Sequence, residues 1–115
     1  MKLINSANGA VLADNIEVAG NFKKRLKGLI GASALNHGDA LILYPCNCIH
    51  TFFMKFPIDV LFVNKDAPIL HTFENMKPFR FSPIIRASYM VVELPAGRLS
   101  STGTAAGNHV QLVTK

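Results

Sequence analysis

Ile49-His50-Thr51-Phe52-Phe53-Met54-Lys55-Phe56-Pro57-Ile58-Asp59-Val60-Leu61-Phe62-Val63 interleaves apolar and ionisable residues more densely than any other part of this 115-residue chain. How it folds decides the class of the protein. If Ile49 to Phe56 is extended, His50, Phe52, Met54 and Phe56 face one side, and Ile49, Thr51, Phe53 and Lys55 the other. Both faces are then mostly apolar, so the strand is covered on both sides and Lys55 and His50 must reach water or meet a partner. After the rigid Phe56-Pro57 step, Asp59 enters the apolar run Ile58 to Val63, where an ionised carboxylate needs a cation or several amide donors.

Glu93 is in the same position between Val91, Val92, Leu94 and Pro95. An uncompensated buried glutamate is costly. The candidate cations are Lys55, Arg25 and Arg86, and we expect a network joining the two carboxylates to one or two of them. As an architectural device such a network pins strand register. As a functional one, Asp59 and Glu93 form an acid/base pair, which demands a set separation across a cleft.

Outward from this stretch the chain reads as short strands. Leu3-Ile4 and Ala10 to Ala13 flank Ser6-Ala7-Asn8-Gly9, a hairpin turn whose Asn-Gly step supplies positive backbone angles, and Ile16 to Val18 extends or follows the second strand. Asn21 caps the one convincing helix, near residues 21–30, in which Phe22, Leu26, Leu29 and Ile30 fall at spacings of three and four. Gly31 is its expected terminator, and Gly28 inside it calls for a close contact. Further strands are predicted over Ala40 to Tyr44, Ile58 to Val63, Pro68 to Phe73, Ala87 to Leu94 and His109 to Val113. Met76 to Pro83, with two prolines, is a loop. Seven or eight short strands and one helix indicate an antiparallel sandwich or a closed barrel. The strand and helix alternation of a parallel α/β sheet is absent.

The length fits one domain, residues 1–115, and the 50% apolar, 17% charged composition is that of a folded chain. The net charge of +5 permits acidic partners without requiring them. Lys23, Lys24, Arg25 and Lys27 read as a solvated helix face, with Lys77, Arg80 and Arg86 as a looser second group. No nucleic-acid-binding signature accompanies either, so nucleic acid is disfavoured as a partner. The N-terminus lacks a signal-peptide pattern and no apolar run approaches the roughly 18 residues that cross a bilayer. We therefore expect a cytoplasmic protein with no membrane partner.

Cys46-Asn47-Cys48-Ile49-His50 and Met54 place two thiols, an imidazole and a thioether within nine positions, soft ligands for Cu(I) or Zn(II) if they share a strand face. Small buried thiols beside a turn are the plain alternative, and a disulfide across a two-residue spacing is strained. Gly-x-Ser-x-Gly, His-Glu-x-x-His and Walker motifs are all missing.

Arg25-Leu26-Lys27-Gly28-Leu29-Ile30, His50 to Val63 and Val92-Glu93-Leu94-Pro95-Ala96-Gly97 together resemble a widespread prokaryotic family of uncharacterised conserved domains. Its motifs are Arg-x-x-Gly-Leu-Met, Phe-Trp-Met-Lys leading to a Leu-Asp or Ile-Asp strand, and a late Leu-Glu-x-x-x-Gly, and the similarity spans about residues 20 to 113. Ile30 stands where the family usually has Met and Phe53 where it often has Trp. The resemblance implies a small β-sandwich of jelly-roll type, and it carries over Arg25, Gly28, Met54, Lys55, Asp59, Glu93 and Gly97 as motif positions. It implies no activity, and the cysteine pair lies outside the pattern.

The leading expectation is a non-catalytic accessory domain that binds a small polar ligand or a protein segment, without cofactor. Its site would be made by His50, Lys55, Asp59, Glu93 and the Met76 to Pro83 loop, with Arg25 in the ion network. A hydrolytic or carbohydrate-active enzyme using Asp59 and Glu93 is the alternative. A thiol metal binder using Cys46, Cys48, His50 and Met54 is the third.

Overall fold

The computed structural model describes residues 1–114, apart from the side chains of Phe22 and Leu26. The Phe22 and Leu26 part of the expected apolar helix stripe thus lies outside the described residues. Among those described, eight strands and two short helices make the chain mainly β. β1 (Lys2–Asn5), β2 (Val11–Ala13) and β8 (Val110–Val113) form a three-stranded sheet in the order β2-β1-β8. β3 (Asn15–Ala19), β4 (Asp39–Leu43), β5 (Ile58–Asn64), β6 (Ile69–Met76) and β7 (Ser88–Pro95) form a five-stranded sheet in the order β3-β4-β7-β5-β6. Both sheets keep free edges, so the closed barrel is excluded.

β5 explains why the quoted stretch is so apolar. Its residues from Ile58 to Val63 are all buried, because it lies between β6 and β7 with both faces covered. Leu61 and Val63 face a core shared with Leu3, Leu12, Ala13 and Val110 of the smaller sheet. Ile58, Val60 and Phe62 face a second core with Leu29, Leu41, Leu43, Met54 and Val91, and the Phe62 ring meets Phe73 edge-on at 5.8 Å.

The N-terminal hairpin forms as expected, with Leu3 opposite Ala13 and the turn glycine Gly9 at φ 75°. Asn5 and Asn8 brace it through side-chain bonds from the Ala7 and Ala10 amides.

Two expectations are corrected. The sheet is not purely antiparallel, since β3 and β4 pair in parallel, from Asn15 opposite Asp39 to Ala19 opposite Leu43. A parallel pair needs a crossover, supplied by residues 20–38 and their helix α1 (Phe22–Lys27). One such unit left no repeated alternation to detect. The helix is also shorter than expected. Asn21 caps it, accepting from the Lys24 amide at 2.9 Å, but Gly28 rather than Gly31 ends it, at φ 49° and ψ −124°, an angle pair suited to glycine. The demand on Gly28 is therefore conformational, with only the Arg25 carbonyl oxygen near a Cβ there, at 3.7 Å. A second helix, α2 (Arg98–Thr102), arises between the strands expected over Ala87 to Leu94 and His109 to Val113, where the sequence reading places no helix. No described helix is long and apolar enough to cross a membrane.

Candidate functional site

Residues 49–56, the part of the quoted stretch read as a strand, are not one. Apart from a single bridge between His50 and Phe81, the segment runs as turns and bends, and Phe53 sits at φ 64°. Its alternating pattern does not assign faces. What holds it is the loop that follows β6. Thr51 is fully buried and its hydroxyl donates to the Lys77 carbonyl at 2.6 Å while accepting from the Arg80 amide at 2.9 Å. Main-chain bonds join Thr51 to Phe79 and Arg80, Ile49 to Ser82, and Asn47 to Ile85. The Met76 to Pro83 loop thus begins one residue late, because Met76 is the buried last residue of β6.

Folding the segment this way opens a cleft of about 340 Å³ between it and the C-terminal end of α1. Leu29, Ile30, Leu43, Ile49 and Met54 make its walls apolar, and Arg25, Lys27, Cys46, Cys48, His50 and Glu93 also line it. These last six arrive from three parts of the chain: α1, the segment between β4 and β5, and β7. Glu93 comes from β7, the central strand of the five-stranded sheet, opposite Leu41 on one side and Val60 on the other. Arg25 comes from α1, where the neighbouring Lys23, Lys24 and Lys27 are exposed as a solvated face. The Arg25 guanidinium turns to main-chain oxygens instead, donating to the Gly20 carbonyl at 3.3 Å and the Tyr44 carbonyl at 3.2 Å.

The electrostatics centre on Glu93. It is 3% exposed, its Oε1 has no hydrogen-bond partner, and burial pushes its carboxyl up to about 8. At neutral pH it is therefore mostly the uncharged acid, able to donate as well as accept. Burial also pushes the Cys46 thiol up, and its S–H donates to the Cys48 carbonyl at 3.3 Å. A thiol kept protonated is a weak nucleophile. The His50 ring accepts the Phe52 amide at Nδ1 and lies 5.6 Å from the Phe52 ring.

Asp59 is elsewhere. Facing pairs across β5 and β7 put Asp59 with Leu94 and Val60 with Glu93, so the two carboxyls lie on opposite faces of the sheet. They cannot flank one substrate, and among the described residues no shared ion network joins them. Asp59 is fully buried and takes three amide donors, from Asn75 at 2.9 Å, Gly97 at 3.1 Å and Leu99 at 2.9 Å. The last two belong to the start of α2, so Asp59 satisfies main-chain N–H groups that the helix leaves open. Lys55 is exposed to water and outside the cleft. Arg86 is likewise exposed and outside it.

Of the expected site, the structure thus assembles Arg25, His50 and Glu93 and leaves out Lys55 and Asp59. The soft-ligand group Cys46, Cys48, His50 and Met54 does border the same cleft. Without the strand it loses its common face, and among the described residues no three His, Cys, Asp or Glu side chains come together to hold an ion. Gly28, Leu29 and Ile30 were overlooked as lining residues. The signal for them was the glycine itself, which breaks the helix where the cleft begins.

Comparison with known proteins gives a consistent picture. A family model described as "Uncharacterized ACR" matches residues 3–112. A UPF0127 protein of Thermococcus sibiricus is 27% identical over 113 residues, 94% of this chain and 72% of the relative. A UPF0127 protein of Thermococcus gammatolerans is 31% identical over 111 residues, 92% of this chain and 71% of the relative. The crystal structure of a protein of unknown function from Novosphingobium aromaticivorans superposes with a TM-score of 0.84 at 20% identity, covering 96% of this chain and 82% of the other, which shows a shared fold.

Proposed function

The chain belongs to the DUF192 family, and from that premise we propose that it is a non-catalytic binding domain whose cleft holds a small ligand. The ligand is polar at one end, apolar along its body and anionic or strongly accepting at the other. The observation that carries this reading is Glu93, a fully buried acid with an unpartnered oxygen on a cleft of ligand size. A carboxyl left so in a folded core costs stability, and a ligand that bonds to it removes the cost. Leu29, Ile30, Leu43 and Met54 supply the apolar contact, while Arg25 and Lys27 supply positive charge for the far end. We read the two sheets, joined by their common core, as the layers of a sandwich of jelly-roll type, and the domain as an accessory unit of the cytoplasm.

The test is a titration of ¹⁵N-labelled protein with hexanoate and with hexyl phosphate, followed by NMR. Shift changes concentrated at the amides of Gly28, Cys46 and His50, and lost in Glu93→Leu and Arg25→Met, are the expected result. Changes scattered away from the cleft, or unaltered by either substitution, overturn the proposal.

A further inference from the structure

Away from the cleft, a second surface is unexplained by a small-ligand role. Among the described residues the four most exposed large apolar side chains are Phe81 (73%), Phe53 (70%), Ile84 (66%) and Phe79 (57%), all on the two loops that hold residues 49–57 and 77–87. The rings form one cluster. Phe52 meets Phe81 edge-on at 4.7 Å and Phe79 at 6.1 Å, and Phe53 meets Phe79 edge-on at 6.2 Å.

Two features show that this surface is held out rather than left over. Phe53 at φ 64° and Phe79 at φ 63° both occupy the left-handed region, which a bulky residue enters only at a cost that the surrounding structure must impose. The imposing structure is visible, since buried Thr51 and the Ile49 to Ser82 bonds tie the loops to each other behind the rings. Charge is segregated as well. Residues 49–57 and 77–87 carry Lys55, Lys77, Arg80 and Arg86, every one exposed, and none of the chain's seven Asp and Glu residues. Asp59, two positions beyond residue 57, is fully buried, and the nearest exposed acid in sequence is Glu74 on β6.

We propose that this aromatic and basic ridge docks the protein on an anionic lipid surface, with the phenylalanine rings in the interface and the four cations against the headgroups. The charge pattern calls for an anionic partner. The rings are exposed and do not line the cleft, which suits insertion among acyl chains better than capture of a peptide segment. The expectation of no membrane partner rested on the lack of a spanning segment, which has no bearing on peripheral attachment. This inference stands on residues other than Glu93 and is independent of the cleft.

Sedimentation with vesicles tests it, using phosphatidylcholine alone and phosphatidylcholine mixed with phosphatidylglycerol. Binding is expected to the mixed vesicles, to weaken with added salt, and to be absent from phosphatidylcholine alone. Phe53→Asp and Phe81→Asp alter exposed positions and should leave thermal stability unchanged while lowering the partition coefficient by on the order of tenfold each. Lys77→Glu with Arg80→Glu should do the same. No binding to the mixed vesicles, equal binding to both kinds, or binding indifferent to the phenylalanine substitutions overturns the proposal. Capture on immobilised poly-glutamate through the same phenylalanines, without vesicle binding, assigns the ridge to an acidic protein and overturns it too.

Discussion

Replacing Glu93 by glutamine should make the protein more stable at neutral pH, and by an amount the structure sets. The folded carboxyl is raised from an ordinary 4.5 to about 8 because it is buried without a partner. A raised folded value means the native state holds its proton more tightly than the unfolded chain. Stability is therefore highest below 4.5 and is lost as pH rises through the window up to about 8. Each pH unit in that window costs about 1.4 kcal/mol, so at pH 7 the glutamate has cost roughly 3 kcal/mol. Glutamine keeps the size and the polarity without titrating, so Glu93→Gln should recover roughly that 3 kcal/mol at pH 7 and almost nothing at pH 4.5. Urea unfolding of both proteins at several pH values between 4.5 and 8 provides the measurement, and taking the difference cancels every group the two share. Two stability curves that run parallel across this range would refute the reasoning, since they would mean that Glu93 does not titrate differently on folding.

Asp59 should behave in the opposite sense. Asp59→Ala strands the amides of Asn75, Gly97 and Leu99 in the core, and at about 1–3 kcal/mol for each unsatisfied donor the loss should be on the order of 4 kcal/mol. Urea denaturation checks it, and a loss below ~0.5 kcal/mol would show that these bonds are replaced by water. Thr51→Val removes a buried hydroxyl that donates to Lys77 and accepts from Arg80. We expect a loss of about 2 kcal/mol together with faster hydrogen exchange at the Phe79 and Arg80 amides, and unchanged exchange there would remove Thr51 as the tie between the two loops.

An acid that destabilises its own fold is informative about function. Nothing in the packing of β7 requires a carboxyl opposite Leu41 and Val60, where leucine or methionine would fill the same space. Keeping one there is consistent with a use for it, and the apolar cleft beside it is where that use would lie. Asp59 has no such excess, because its Oδ2 accepts the Gly97 and Leu99 amides of the helix start and its Oδ1 accepts the Asn75 amide. The two carboxyls look alike in sequence, each set in an apolar run, and only their partners separate them.

Much of the sheet follows from composition and punctuation. Ile58 to Val63, Ala40 to Leu43 and Ser88 to Leu94 are mainly apolar runs, broken only by Asp59, Glu93 and the leading Ser88 and closed by Pro or Asn, and such runs become buried strands wherever they pair. Asn21 marked the start of α1, because a side-chain cap is a local interaction between near neighbours.

Three things were decided only in the folded molecule. The parallel pairing of β3 with β4 is a contact between runs 24 residues apart, and alternation tells which residues are to be buried without naming the strand beside them. The run Ile49 to Phe56 has a strand's composition but is held as loops by Thr51 and main-chain bonds to residues 79–85, and hydrogen bonds to backbone leave no mark on the residue types that accept them. The same blindness hid the three amides of Asp59, two of them 38 and 40 residues away. The sequence alone thus determined what must leave water: the apolar runs, and with them two carboxyls in need of an explanation. Tertiary structure decided what each meets there, giving Asp59 to the start of a helix and Glu93 to an open cleft, because burial is a property of a residue while partnership is a property of the fold.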